Sequence, residues 1–123
     1  RVPLSDEAMR VLEECRIGAD SDLMFPGPSG RAPISDVAVS HTLNRRKEAG
    51  RAHGFRSSFR SWVQDTEAAT YDVAETALGH IVGNRVERTY ARSDMLEPRR
   101  RLMQKWAQHV TGQTAEVVQL RRG

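Results

Sequence analysis

Apolar residues recur at helical spacing within the segments that glycine and proline mark off, and this periodicity limits the fold more than any other feature. Met9, Leu12 and Cys15 fall at i, i+3 and i+6, and Phe55, Phe59 and Trp62 at i, i+4 and i+7. Leu102, Met103, Trp106 and Val110 make a third stripe of the same kind. Each spacing gathers its residues on one side of a helix, so all three read as core-facing surfaces. No run approaches the ~20 consecutive apolar residues of a membrane-spanning helix. At 123 residues the chain has room for one domain with a real core. Its opening, Arg1-Val2-Pro3, has neither an initiator Met nor the apolar run of a signal peptide, and reads as the start of a fragment.

Local signals divide the chain further. Val2-Pro3-Leu4 reads as the end of a strand or an extended lead-in, and Ser5 as the cap of a first helix with Asp6 and Glu7 in its first turn. Residues 17–33 form a connector punctuated by Gly18, Pro26, Gly27, Pro28, Gly30 and Pro33, with Leu23-Met24-Phe25 as a buried strand or an anchor. Ser35-Asp36 opens a second helix predicted to reach Lys47, with Gly50 beyond it. A third begins near His53-Gly54, and a fourth runs from Tyr71 to Leu78 and stops at Gly79. A short helical stretch is expected from Arg85 to Arg92. The last helix is expected from about Asp94, with Glu97 in capping-box spacing and Pro98 inside the first turn. The expected fold is mainly α with a small β component, comprising a domain over residues 1–112 and a tail over 113–123. In that tail Val117, Val118 and Leu120 form a strand only by finding a partner edge.

Composition narrows the chemistry. The single cysteine, Cys15, makes no internal disulfide, and one Cys with four scattered His argues against a structural zinc site. Net charge is +3, yet the basic residues are 17 Arg against 2 Lys. The guanidinium fork grips phosphate oxygens two at a time, which an ammonium does not do. This usage permits a nucleic-acid partner without establishing one.

Four residues stand out as carriers of chemistry: His53, Arg56, His80 and Tyr90. His53 and Arg56 lie at i, i+3 at a helix start, where side chains share a face and backbone N–H groups favour an anion. His80 emerges after Leu78-Gly79, where a helix ends. Tyr90 lies in a segment crowded with Arg85, Arg88 and Arg92. Singly, each has a plainer reading: a capping or surface histidine, a packing tyrosine, a solvated basic face. Phe55, Phe59 and Trp62 are expected in the core, and His41 and His109 take no role.

Taken in order, His53-Gly54-Phe55-Arg56, Leu78-Gly79-His80 and the Tyr90 of Val86-Glu87-Arg88-Thr89-Tyr90 resemble the tyrosine recombinase (phage integrase) family. They match that family's His-x-x-Arg box, its Leu-Gly-His box and its nucleophilic tyrosine. The resemblance covers about residues 1–112 and is closest to integrases of prophages and genomic islands. It implies that Tyr90 attacks a DNA phosphodiester to form a 3′-phosphotyrosyl link and release a 5′-hydroxyl. By the same resemblance, Arg56 grips a non-bridging oxygen as charge develops. His53 would hydrogen-bond the phosphate and help manage the tyrosine proton, and His80 would donate to a second oxygen. Arg60, Arg85 and Arg88 are further candidates for phosphate contacts. Tyr71, the other tyrosine, matches no nucleophile position in the family.

The implied partner is double-stranded DNA, with no metal or other cofactor, a homo-oligomer joined through the C-terminal tail, and a cytoplasmic location. The chain departs from the family pattern in one respect. An earlier Arg, a neighbouring acidic residue and a hairpin Lys precede the matching segment in relatives, and neither Lys47 nor Lys105 matches that Lys. A fragment without them is expected to cleave little or not at all. The rival readings are a non-catalytic DNA-binding module that keeps the fold and a type IB topoisomerase; a metal-dependent nuclease is disfavoured for want of paired carboxylates.

Overall fold

The computed structural model describes residues 1–16, 22–82 and 93–113. Among them are five helices: α1 (Asp6–Arg16), α2 (Ala38–Arg45), α3 (Ala52–Thr66), α4 (Tyr71–Ala77) and α5 (Leu96–Val110). The mainly helical expectation holds. Of the small β component the described residues contain only an isolated antiparallel bridge, Pro26 to Pro33. Val2-Pro3-Leu4 is not in a strand. The strand expected in the tail and the helix expected around Tyr90 lie outside the described residues.

The core is built by α3, α4 and α5. Phe59 and Val63, one turn apart on α3, are buried with Val73 and Ala74 of α4 and Leu102 of α5. Leu102 is only 1% exposed, and full burial of such a side chain stabilises by roughly 1.5–3 kcal/mol. Trp62, Met103 and Trp106 pack against this cluster. Phe59 meets Trp106 edge to face at 5.4 Å, and Trp62 lies 5.1 Å from Trp106, both within the range of favourable aromatic pairs. His109, given no role from sequence, stacks on Trp62 at 5.4 Å.

Two predicted stripes are corrected. On α1 no residue is buried: Met9 is 45% exposed and Cys15 is exposed. That helix is held by polar bonds instead. The Asp6 N–H donates to Gln104 Oε1 and Gln104 Nε2 donates to Asp6 Oδ2, both at 3.0 Å, while the buried Arg99 donates to the carbonyls of Arg1 and Asp94. On α3 the stripe begins one turn late. Phe55 is exposed in the first turn of α3, and Val110 is likewise exposed at the far end of α5.

Helix ends follow the local signals unevenly. Ser5 caps α1, its Oγ accepting from the Ala8 N–H at 3.2 Å. α2 starts at Ala38 rather than at Ser35-Asp36 and stops at Arg45. Lys47 takes the left-handed conformation there, φ 56°, with Lys47 N–H bonded to Asn44 O and Glu48 N–H to Leu43 O. This is a Schellman ending with lysine where glycine is usual. α5 begins at Leu96 because Met95 turns left-handed, φ 49°, and Asp94 Oδ1 accepts from the Leu96 N–H. Glu97 pairs with Arg100 at 3.3 Å instead of closing a capping box. In the connector, Phe25 is 47% exposed and its carbonyl accepts from the Ile34 N–H at 3.0 Å, so the apolar run there is an anchored turn.

Candidate functional site

The geometry of the site starts from the end of α4. Leu78 closes that helix, and Gly79 follows at φ 72°, a conformation that glycine adopts without steric cost. Its N–H bonds to Thr76 O at 3.0 Å and the His80 N–H to Glu75 O at 2.9 Å. These two bonds make a Schellman motif. The chain is thereby turned sharply, and the His80 side chain is delivered to α3.

Arg56, on the second turn of α3, meets it there. Its Nη2 donates to Leu78 O at 2.6 Å and lies 2.8 Å from His80 Nε2. A carbonyl at a helix C-terminus has no partner of its own within the helix, so Arg56 both satisfies the end of α4 and touches the imidazole. Two residues 24 apart in sequence are brought into direct contact by the packing of α3 on α4.

Behind His80 stands a residue that the sequence reading missed. His80 Nδ1 lies 2.7 Å from Glu75 Oε2, and Glu75 Oε1 lies 3.2 Å from Arg60 Nε. The Glu75 side chain is only 8% exposed. A buried carboxylate is tolerated when cations and donors surround it, and Arg60 and His80 fill that need. A signal for Glu75 does exist in the sequence. In a Schellman ending the third residue from the helix end and the third residue beyond it are joined through the backbone, and with α4 ending at Ala77 these are Glu75 and His80.

A guanidinium has donors and no acceptor. His80 Nε2 therefore accepts from Arg56, and Nδ1 carries the proton that is donated to Glu75. The tautomer of the ring is thereby set from both sides. His80 remains partly open to solvent, its side chain 44% exposed.

The other expected site residues stand as follows. His53 is exposed in the first turn of α3, one turn before Arg56, with no hydrogen bond to Arg56 or His80 among the described residues. No side chain caps the first turn of α3; the Gly54 N–H donates to Arg51 O at 2.8 Å, and the Ala52 and His53 N–H groups are the ones a helix start offers to an anion. Arg60 is engaged by Glu75. Tyr71 is the first residue of α4, exposed, and lines a cavity of about 440 Å³ shared with Arg60 and Glu75. Tyr90, Arg85 and Arg88 lie outside the described residues. Among the described residues no group of three or more His, Cys, Asp or Glu converges as a metal site, and no helix is long and apolar enough to cross a membrane.

Three relatives match most of the chain. It is 38% identical over 110 residues to prophage integrase IntA of Escherichia coli K12, a match that covers 86% of this chain and 26% of the relative. It is 32% identical over 116 residues to the integrase of Enterobacteria phage P4, covering 89% and 26%. Prophage integrase IntZ of Escherichia coli K12 is 30% identical over 110 residues, covering 86% and 27%. The chain thus spans about a quarter of the length of the relatives it matches. No protein-family model matches the chain, and no solved structure matches it.

Proposed function

We propose that this chain, a relative of the phage and prophage integrases over nearly nine-tenths of its length, serves site-specific DNA recombination as part of a tyrosine recombinase catalytic domain. The observation that carries this reading is the 2.8 Å contact between Arg56 and His80. Two residues picked from separate motifs meet at one point beside a helix start, where a phosphate would find a guanidinium, an imidazole and open backbone N–H groups. In the proposed reaction Tyr90 attacks the phosphorus of a DNA phosphodiester. Its proton leaves as the O–P bond forms, and the 5′-oxygen departs and takes up a proton. Arg56 holds a non-bridging oxygen as it gains charge, and His53 and His80 hydrogen-bond the phosphate. The energy of the broken bond is kept in the phosphotyrosine, so rejoining is the same step reversed.

The domain proposed for this role is residues 1–112, with 113–123 as an arm that passes to a second subunit on DNA. The chain by itself is expected to cleave very weakly, because the first Arg and the Lys acid of the family pattern have no counterpart in it. Each missing donor costs about 10²–10³ in rate by analogy with oxyanion-hole deletions.

A nicked suicide duplex carrying the end of the element tests this reading. The chain is offered the duplex alone and preceded by the segments that full-length integrases carry, and a denaturing gel reads protein attached to DNA. The expected result is an adduct in the longer form that survives Tyr71→Phe and vanishes with Tyr90→Phe. Duplex binding without any adduct in the longer form would identify a non-catalytic DNA-binding module instead. Relaxation of supercoiled DNA with no site requirement would identify a topoisomerase.

A further inference from the structure

We propose that Glu75 is the positioning residue of this site, setting the tautomer and charge of His80, and that Arg60 is the counter-charge that holds Glu75 in place. The proposal rests on the phosphate-binding reading of Arg56 and His80. It goes beyond that reading by giving roles to two residues that lie outside its motifs, Glu75 and Arg60.

Glu75 is joined to His80 through its Oε2 and to Arg60 through its Oε1, at 2.7 and 3.2 Å. Both carboxylate oxygens are thus committed, and the carboxylate plane is fixed by two elements at once, α3 and the turn after α4. An Nδ1–H held by Glu75 leaves Nε2 as the nitrogen that faces Arg56. When a phosphate draws the Arg56 guanidinium onto its own oxygens, Nε2 loses its donor. It then takes a proton from solvent and becomes a donor to the phosphate, and the imidazolium is balanced by Glu75. Among the described residues the charged groups around His80 are Arg56 of α3 and Glu75 of α4, with Arg60 of α3 behind Glu75. Arg56 opposes that proton until the phosphate neutralises it, and Glu75 favours it.

This account separates two properties that substitution at Glu75 tests independently. Glu75→Gln keeps an oxygen that accepts from Nδ1–H but removes the charge, and Glu75→Ala removes both. Long-range ¹H–¹⁵N NMR on the 123-residue chain at neutral pH reads the tautomer. The expected result is an Nδ1–H tautomer for His80 in the wild type and in Glu75→Gln that persists in Arg56→Ala, where Glu75 alone holds the ring, and a shift toward Nε2–H when Glu75→Ala is added to Arg56→Ala. The second readout is affinity for a short DNA duplex across acid to neutral pH. The wild type should gain affinity as pH falls and His80 takes its proton. Glu75→Gln should lose most of that gain, because the charge that balances a protonated His80 is gone. A wild-type His80 with Nε2–H, or loss of the Nδ1–H tautomer in a folded Arg56→Ala whose Glu75 is intact, overturns the proposal. If Glu75→Ala does not fold, Glu75→Gln decides, and a pH profile equal to wild type overturns it. Failure of the wild type to bind duplex at any pH would overturn the DNA reading, while the tautomer would still decide whether Glu75 positions His80.

Discussion

His80 and Glu75 are joined twice, by a backbone bond of 2.9 Å that closes the end of α4 and by a side-chain contact of 2.7 Å. The first bond belongs to the helix ending and the second to the chemistry of the site. One turn of backbone therefore sets both where the imidazole sits and which of its nitrogens faces Arg56.

The turn depends on Gly79. At φ 72° an alanine pays the left-handed penalty, while its Cβ meets nothing within 4 Å, so the cost is backbone strain of about 1–2 kcal/mol. Gly79→Ala should lower stability by that amount and weaken duplex binding severalfold, because relief of the strain moves His80. Gly54 is the control. It lies inside α3 with open space around its Cα, and Gly54→Ala should stabilise the free protein by about 0.5–1 kcal/mol. Urea unfolding of both variants reads the opposite signs.

Arg56→Lys keeps the charge and removes the fork. A lysine ammonium cannot span two phosphate oxygens in the guanidinium's fixed geometry. In the nicked-duplex assay adduct formation should fall about 10²–10³-fold, with duplex affinity changed far less. Equal loss of both would mean that Arg56 binds substrate without favouring the transition state.

Burial separates the α1 and α5 stripes. Leu102→Ala should cost about 2–5 kcal/mol, since the side chain is enclosed by α3 and α4. Met9→Ala, on a helix with no buried residue, should stay within about 0.5 kcal/mol. Thermal unfolding of the two variants side by side checks the contrast.

Acid should loosen the N-terminal segment. Burial raises the Asp94 carboxyl, but the Arg1 charge, the Leu96 N–H and the Arg99 charge together carry it below the ordinary carboxylate range. A carboxyl lowered in the folded state contributes stability above its unfolded pKa and loses that contribution as pH falls through the folded one. Asp94→Asn should therefore be the less stable protein at neutral pH, and the two melting curves should converge in acid. The Arg10 hydrogen bond lowers Glu7 in the same direction, so some acid sensitivity should persist in Asp94→Asn.

Much of this was legible in the sequence where a single residue decides a local conformation. Gly79 marked the end of α4, Ser5 marked the start of α1, and the Phe59 and Trp62 spacing marked the buried side of α3. Legibility failed where the decision belonged to another element. The Met9, Leu12 and Cys15 stripe has helical period, yet α1 is tied to α5 by the Asp6 and Gln104 pair, and the spacing holds no information about that partner. Glu75 carries no motif. The helix ending at Gly79 implies its backbone bond to His80, but its side-chain role appears only when α3 brings Arg60 alongside it.

Arg56 has a second occupation, and it bears on reversibility. In the free protein its Nη2 holds the carbonyl of Leu78 and the ring of His80. Under the proposed reading, a phosphate that draws on Nη2 displaces both, so the resting contacts act as an internal competitor that weakens capture through that nitrogen. The same competitor assists release: as the phosphate leaves, a ready-made set of partners receives Arg56. In the strand transfer proposed above, which runs forward and backward through one intermediate, such a built-in rival would level the landscape and keep the bound state from becoming a trap.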